Sequence, residues 1–103
     1  MVGVQARVAE FYMRPGPFSR KLKYRVDLHG VSVFGPGDLH ALIRWEWITA
    51  IELGGGVRVA GNNAEVKFPP GAFGLSPEEL IALLERARSI DQRGAVIGVL
   101  QGS

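Results

Sequence analysis

The sequence predicts a mainly β domain of about seven antiparallel strands closed by one C-terminal amphipathic helix. Three stretches carry that expectation. Leu22, Tyr24, Val26 and Leu28 alternate with Lys21, Lys23, Arg25 and Asp27, the period of a strand with one wet face. Glycine- and proline-rich turns recur between short apolar runs at Gly35-Pro36-Gly37-Asp38, Gly54-Gly55-Gly56 and Gly61-Asn62-Asn63. From Ser76 the apolar period changes to that of a helix, with Leu80, Leu83, Leu84, Ala87 and Ile90 on one stripe.

Taken in order, residues 2–13 read as a first strand. Val4, Ala6 and Val8 are expected on one face, Gln5, Arg7 and Ala9 on the other, and Phe11-Tyr12-Met13 break the alternation as a bulge would. Arg14-Pro15-Gly16-Pro17-Phe18-Ser19 is a loop, followed by the alternating strand 21–28. His29-Gly30 turns the chain into a partner strand, Val31 to Phe34, and glycine suits a turn that needs positive φ. Leu39 to Trp45 leads into the segment that holds both tryptophans, Leu42 to Leu53. Two tryptophans can bury about 150–250 Å² each, which makes this segment the expected centre of the core, with one of Trp45 and Trp47 left partly exposed. Val57–Ala60 and Ala64–Phe68 form a hairpin around an Asn-rich turn that tolerates left-handed backbone. Pro69-Pro70-Gly71 stops the sheet, because proline has no N–H for a ladder. Ser76-Pro77-Glu78-Glu79 then starts the helix: Ser76 as N-cap, Pro77 at the first position and Glu79 completing a capping box. Gly94 is the expected stop. The division is a domain over 1–94 and an apolar tail over 95–103 that could cap the domain, pair with a strand edge or meet another chain.

Bulk properties exclude several function classes. The chain has 103 residues, one domain's worth, and no cysteine, so it holds no disulfide, thiolate metal site or cysteine nucleophile. No apolar run approaches the ~20 residues of a membrane-spanning helix, and the start lacks signal-peptide character. A cytoplasmic protein is expected, with the inner face of the membrane within its reach. The net charge of +2 is unevenly spread. Arg7, Arg14, Arg20, Lys21, Lys23 and Arg25 face only Glu10 and Asp27 in the first thirty residues, so the positive field sits there.

The order of elements resembles the pleckstrin-homology (PH)-like superfamily, in particular its small bacterial members. Asp27-Leu28-His29-Gly30-Val31-Ser32-Val33 is similar to a strand, a short turn at glycine and a second strand in that family. Ile43-Arg44-Trp45-Glu46-Trp47-Ile48-Thr49-Ala50-Ile51 resembles its joint between two central strands. Val66-Lys67-Phe68-Pro69-Pro70-Gly71-Ala72-Phe73, with Ser76-Pro77-Glu78-Glu79-Leu80 after it, resembles its last strand, proline exit and helix. The likeness covers roughly residues 20–92. It implies a bent barrel of two nearly orthogonal sheets with the helix across one open end, and a binding or scaffolding module without catalysis. Lipid-binding members use basic residues on the first two strands and the loop between them. Lys21, Lys23 and Arg25 fall in that place, and Arg14 stands nearest to an earlier lysine of the pattern.

The expected function is therefore mediation of protein–protein contact or self-association through barrel edge, helix and tail. An alternative is peripheral binding to anionic lipid through Arg14, Arg20, Lys21, Lys23 and Arg25, with Phe18 at the loop tip; the same alternation is also what any strand with one solvated face shows. A nucleic-acid-binding small barrel is a minor alternative, since it requires aromatics among the basic residues on one exposed face and Tyr24 points inward. No cofactor, metal site or small-molecule substrate is expected. His29 and His40 have neither metal-ligand nor triad spacing, Ser76 already caps a helix, and no pair of carboxylates is placed for acid–base work. Gly54-Gly55-Gly56 lacks the Gly-Lys-Ser/Thr of a phosphate loop.

Overall fold

The computed structural model describes residues 7–14, 16–17 and 20–102. Among the described residues, seven strands form two antiparallel sheets. The first sheet is a four-stranded meander of β1 (Val8–Met13), β2 (Leu22–Asp27), β3 (Gly30–Gly35) and β4 (Asp38–Arg44). The second is a three-stranded meander of β5 (Ala50–Leu53), β6 (Val57–Gly61) and β7 (Ala64–Phe68). A single 3₁₀ turn, Trp45–Trp47, joins them, and another at Ala72–Gly74 leads to the helices α1 (Pro77–Ala87) and α2 (Ile90–Gly102).

Two expectations need correction. Among the described residues the sheets are not joined into a closed barrel, and two helices, not one, follow them. α1 ends at Ala87, where the N–H groups of Arg88 and Ser89 turn back to the Glu85 and Arg86 carbonyls. Ile90, expected on the apolar stripe, is instead 80% exposed at the start of α2. Gly94 does not stop the helix. Residues 95–102 belong to α2, where Val96, Ile97 and Leu100 are buried at a spacing that one helical face satisfies.

In β1, Val8 and Ala9 lie on opposite faces as expected, and the inward one is that of Ala9. Ala9 is buried, with Phe11 and Met13 packed against the core, while Val8, Glu10 and Tyr12 point outward. No bulge interrupts the strand: its pairing with β2 runs unbroken from Val8↔Asp27 to Met13↔Leu22. The irregularity lies between β3 and β4, at Val33/Phe34. The expected strand over 2–6, the loop residues Pro15, Phe18 and Ser19, and Ser103 lie outside the described residues.

The core lies between the inner faces of both sheets and the helices. Val26, Val31, Ile43, Val57, Val59, Val66 and Phe68 come from the sheets, Leu80, Leu84, Val96 and Ile97 from the helices. Of the tryptophans, Trp45 is 3% exposed and Trp47 40%. Trp45 Nε1 donates to the Asp27 carbonyl at 2.8 Å, so its polar tip is satisfied inside the core. The sheet edges are attended: α2 lies along β1, α1 along β5, and β4 and β7 lie against each other. The Gln101 amide donates to the Val8 carbonyl at 3.1 Å, tying the end of α2 to the outer edge of β1.

Glycine matters most where backbones nearly touch. A side chain on Gly30 would lie 2.1 Å from the Ile43 carbonyl oxygen, so this position serves the close approach of β3 and β4 and not a positive φ. In the Asn62-Asn63 turn the left-handed backbone is real, with φ of 52° and 59°.

Candidate functional site

β2 is the strand that places charge. Its alternation sends Leu22, Tyr24 and Val26 inward and Lys23 and Arg25 outward, with Lys21 just ahead of it. Tyr24 packs on Phe68 with ring centres 5.5 Å apart, and burial pushes its hydroxyl pKa up. Tyr24 therefore belongs to the core.

Register supplies what lies beside the basic residues. Across three strands Tyr12 faces Lys23, which faces Phe34; one rung on, Glu10 faces Arg25, which faces Ser32. The Lys21 ammonium lies 5.0 Å from the Tyr12 ring centre. Lys23 and Arg25 both lie 4.8 Å from the centre of the Phe34 ring. Tyr12, Lys21, Lys23, Phe34, Gly35 and Pro36 bound a shallow cleft of about 250 Å³.

Glu10 interrupts this positive surface. Its Oε2 accepts from Arg25 Nε at 3.0 Å, with Nη2 at 2.9 Å and Lys23 Nζ at 3.5 Å. Partial burial raises the Glu10 pKa, and the Arg25 hydrogen bond with the charges of Lys23 and Arg25 outweighs it. The carboxyl is held below its ordinary value and stays ionised.

Arg14 and Arg20 are exposed and stand at one end of this sheet, after Met13 and before Leu22, the last pair of β1 and β2. Neither they nor Lys21 form an ion pair among the described residues. The turn between β3 and β4 lies at the same end, bringing Leu39, which is 50% exposed, and the His40–Asp38 pair at 3.6 Å. Tyr12, 51% exposed, completes the group. Phe18, expected at the loop tip, lies outside the described residues.

The structure thus unites Lys21, Lys23 and Arg25 on one face and sets Arg14 and Arg20 at its end. Tyr12, Phe34 and Glu10 were missed from sequence. They lie on neighbouring strands, and only register brings them to the basic residues. Continuing the two-residue alternation through Tyr12, instead of assigning a bulge, would have put Glu10 and Tyr12 together on the face of Val8.

The outer face of the second sheet is different. Arg58 pairs with both Glu52 and Glu65, and Lys67 lies 3.5 Å from Glu65, so the charges there are matched locally. No group of three or more His, Asp and Glu side chains able to hold a metal lies among the described residues. No helix among them is long and apolar enough to cross a membrane.

The chain matches no protein-family model, and no curated protein or solved structure matches it.

Proposed function

We propose that the chain is a non-catalytic binding module of PH-like type that attaches to anionic surfaces, lipid bilayers first, through the loop end of the β1–β4 sheet. The observation that carries this is the grouping of Arg14, Arg20 and Lys21, without ion pairs among the described residues, with exposed Tyr12 and Leu39. Basic side chains near an anionic bilayer contribute about 1 kcal/mol each, and a tyrosine suits the headgroup level, with its ring toward the apolar side and its hydroxyl in water. Seven strands in two meanders followed by C-terminal helices support the PH-like assignment, as do the glycine turn at Gly30 and the helix start at Ser76.

Two features favour a bilayer over a nucleic acid. A cation already sits on a face of each ring there, Lys21 on exposed Tyr12 and both Lys23 and Arg25 on half-buried Phe34, where a base would have to stack. Glu10 also lies among the cations a phosphate backbone would follow.

A protein partner is the second reading, favoured by Leu39, Leu42 and Trp47, exposed along and just beyond β4. Co-sedimentation with neutral and anionic vesicles at low and physiological salt separates the two. Bilayer attachment through these charges requires anionic lipid and weakens with salt, whereas an apolar protein contact tolerates salt.

A further inference from the structure

We propose that Glu10 is an internal occupant of the basic face: its carboxylate takes the place of an external anion on Lys23 and Arg25. It withholds those two charges until a ligand is anionic enough to displace it. This rests on the anionic-surface reading above and adds the residue that sets its threshold.

The geometry is that of a filled anion site. One oxygen, Glu10 Oε2, meets Arg25 Nε at 3.0 Å, Arg25 Nη2 at 2.9 Å and Lys23 Nζ at 3.5 Å. The Tyr12 hydroxyl donates to the other oxygen at 3.3 Å. Phe34 supplies the opposite side, so both cations are held between a carboxylate and a ring. Arg14, Arg20 and Lys21 have no carboxylate partner among the described residues.

Displacement is feasible. Glu10 is carried by β1, facing Arg25 across the strand pair, and its side chain is 29% exposed. Clefts open on both sides of it, toward Arg7 and His29 on one and toward Gln101 on the other. The carboxylate can rotate off without repacking the core, and ion pairs this exposed are readily exchanged. A sparse anionic surface therefore meets three ready charges, and a dense one recruits five.

The test compares wild type with Glu10→Gln on phosphatidylcholine vesicles containing a low or a high fraction of phosphatidylglycerol. A released basic residue raises affinity roughly fivefold, so Glu10→Gln should strengthen binding roughly ten- to thirty-fold at the low fraction. The gain should shrink at the high fraction and vanish when Lys23→Ala and Arg25→Ala are added. Glu78→Gln, with the same change in net charge on α1, should show no such gain. Elution from immobilised heparin gives a readout independent of lipid. Later elution of Glu10→Gln, lost on adding Lys23→Ala and Arg25→Ala, would uphold Glu10 as occupant even if no protein bound vesicles; the bilayer reading alone would then fail. The proposal is overturned if Glu10→Gln behaves as wild type or as Glu78→Gln on both supports, or if its gain persists without Lys23 and Arg25.

Discussion

The Arg93 guanidinium lies over the Trp45 ring, 5.0 Å from its centre, while its Nε donates to the Ala87 carbonyl at 2.8 Å. A third contact runs from Nη2 to the Arg88 carbonyl at 3.1 Å. One side chain on α2 thus closes the open carbonyls at the end of α1 and clamps the tryptophan at the exit of β4. Arg93→Ala should cost about 2 kcal/mol in urea unfolding, from the lost stacking and the unpaired carbonyls, and should shift the tryptophan fluorescence. Arg93→Lys should lie between, since an ammonium keeps the charge without the planar fork.

Gly30 and Gly37 make opposite demands. A Cβ on Gly30 would meet the Ile43 oxygen at 2.1 Å and the Arg44 Cα at 2.7 Å, both backbone atoms that cannot yield without parting β3 from β4. Gly30→Ala should cost about 3 kcal/mol or more, or leave no folded protein. Gly37 has open space around it and a φ of 81°, so Gly37→Ala should cost only about 1–2 kcal/mol. Denaturant midpoints of the two variants check the order.

The capping box at α1 has a pH signature. Ser76 Oγ accepts from the Glu79 N–H at 3.1 Å, and the Glu79 carboxylate accepts from the Ser76 N–H at 2.9 Å. Ser76→Ala should cost about 1 kcal/mol. The hydrogen bonds from Ser76 hold the Glu79 carboxyl below its ordinary value of 4.5. A carboxyl depressed on folding stabilises above its unfolded pKa, and that contribution is lost as pH falls through the folded value. The stability gap between wild type and Glu79→Ala should be full at neutral pH and close below about pH 4.5. Thermal unfolding across that range checks it.

Local signals in the sequence were legible where one residue type fixes one geometry. Ser76-Pro77-Glu78-Glu79 forms the helix start it spells, Asn62-Asn63 takes the left-handed turn, and β2 keeps its alternation. What failed depends on neighbours distant in sequence. α2 reads poorly because Gly94 and Gly98 are weak helix formers and because exposed Ile90 and Val99 blur its apolar face; the packing of Val96, Ile97 and Leu100 outweighs both. The five basic residues are candidates from the charge distribution and the family resemblance together. That Glu10 and Phe34 engage two of them follows from register, which the pairing of three strands decides together.

On the proposed function, binding depends on where the positive charge stands and not on how much there is. The direct measurement is vesicle co-sedimentation of Arg14→Ala/Arg20→Ala/Lys21→Ala beside Arg44→Ala/Lys67→Ala/Arg86→Ala, which removes three exposed charges elsewhere. Wild type and the second variant should bind anionic vesicles at low salt, and the first should lose about 3 kcal/mol of binding. Equal loss in both variants, or no binding by wild type to any vesicle, would contradict it.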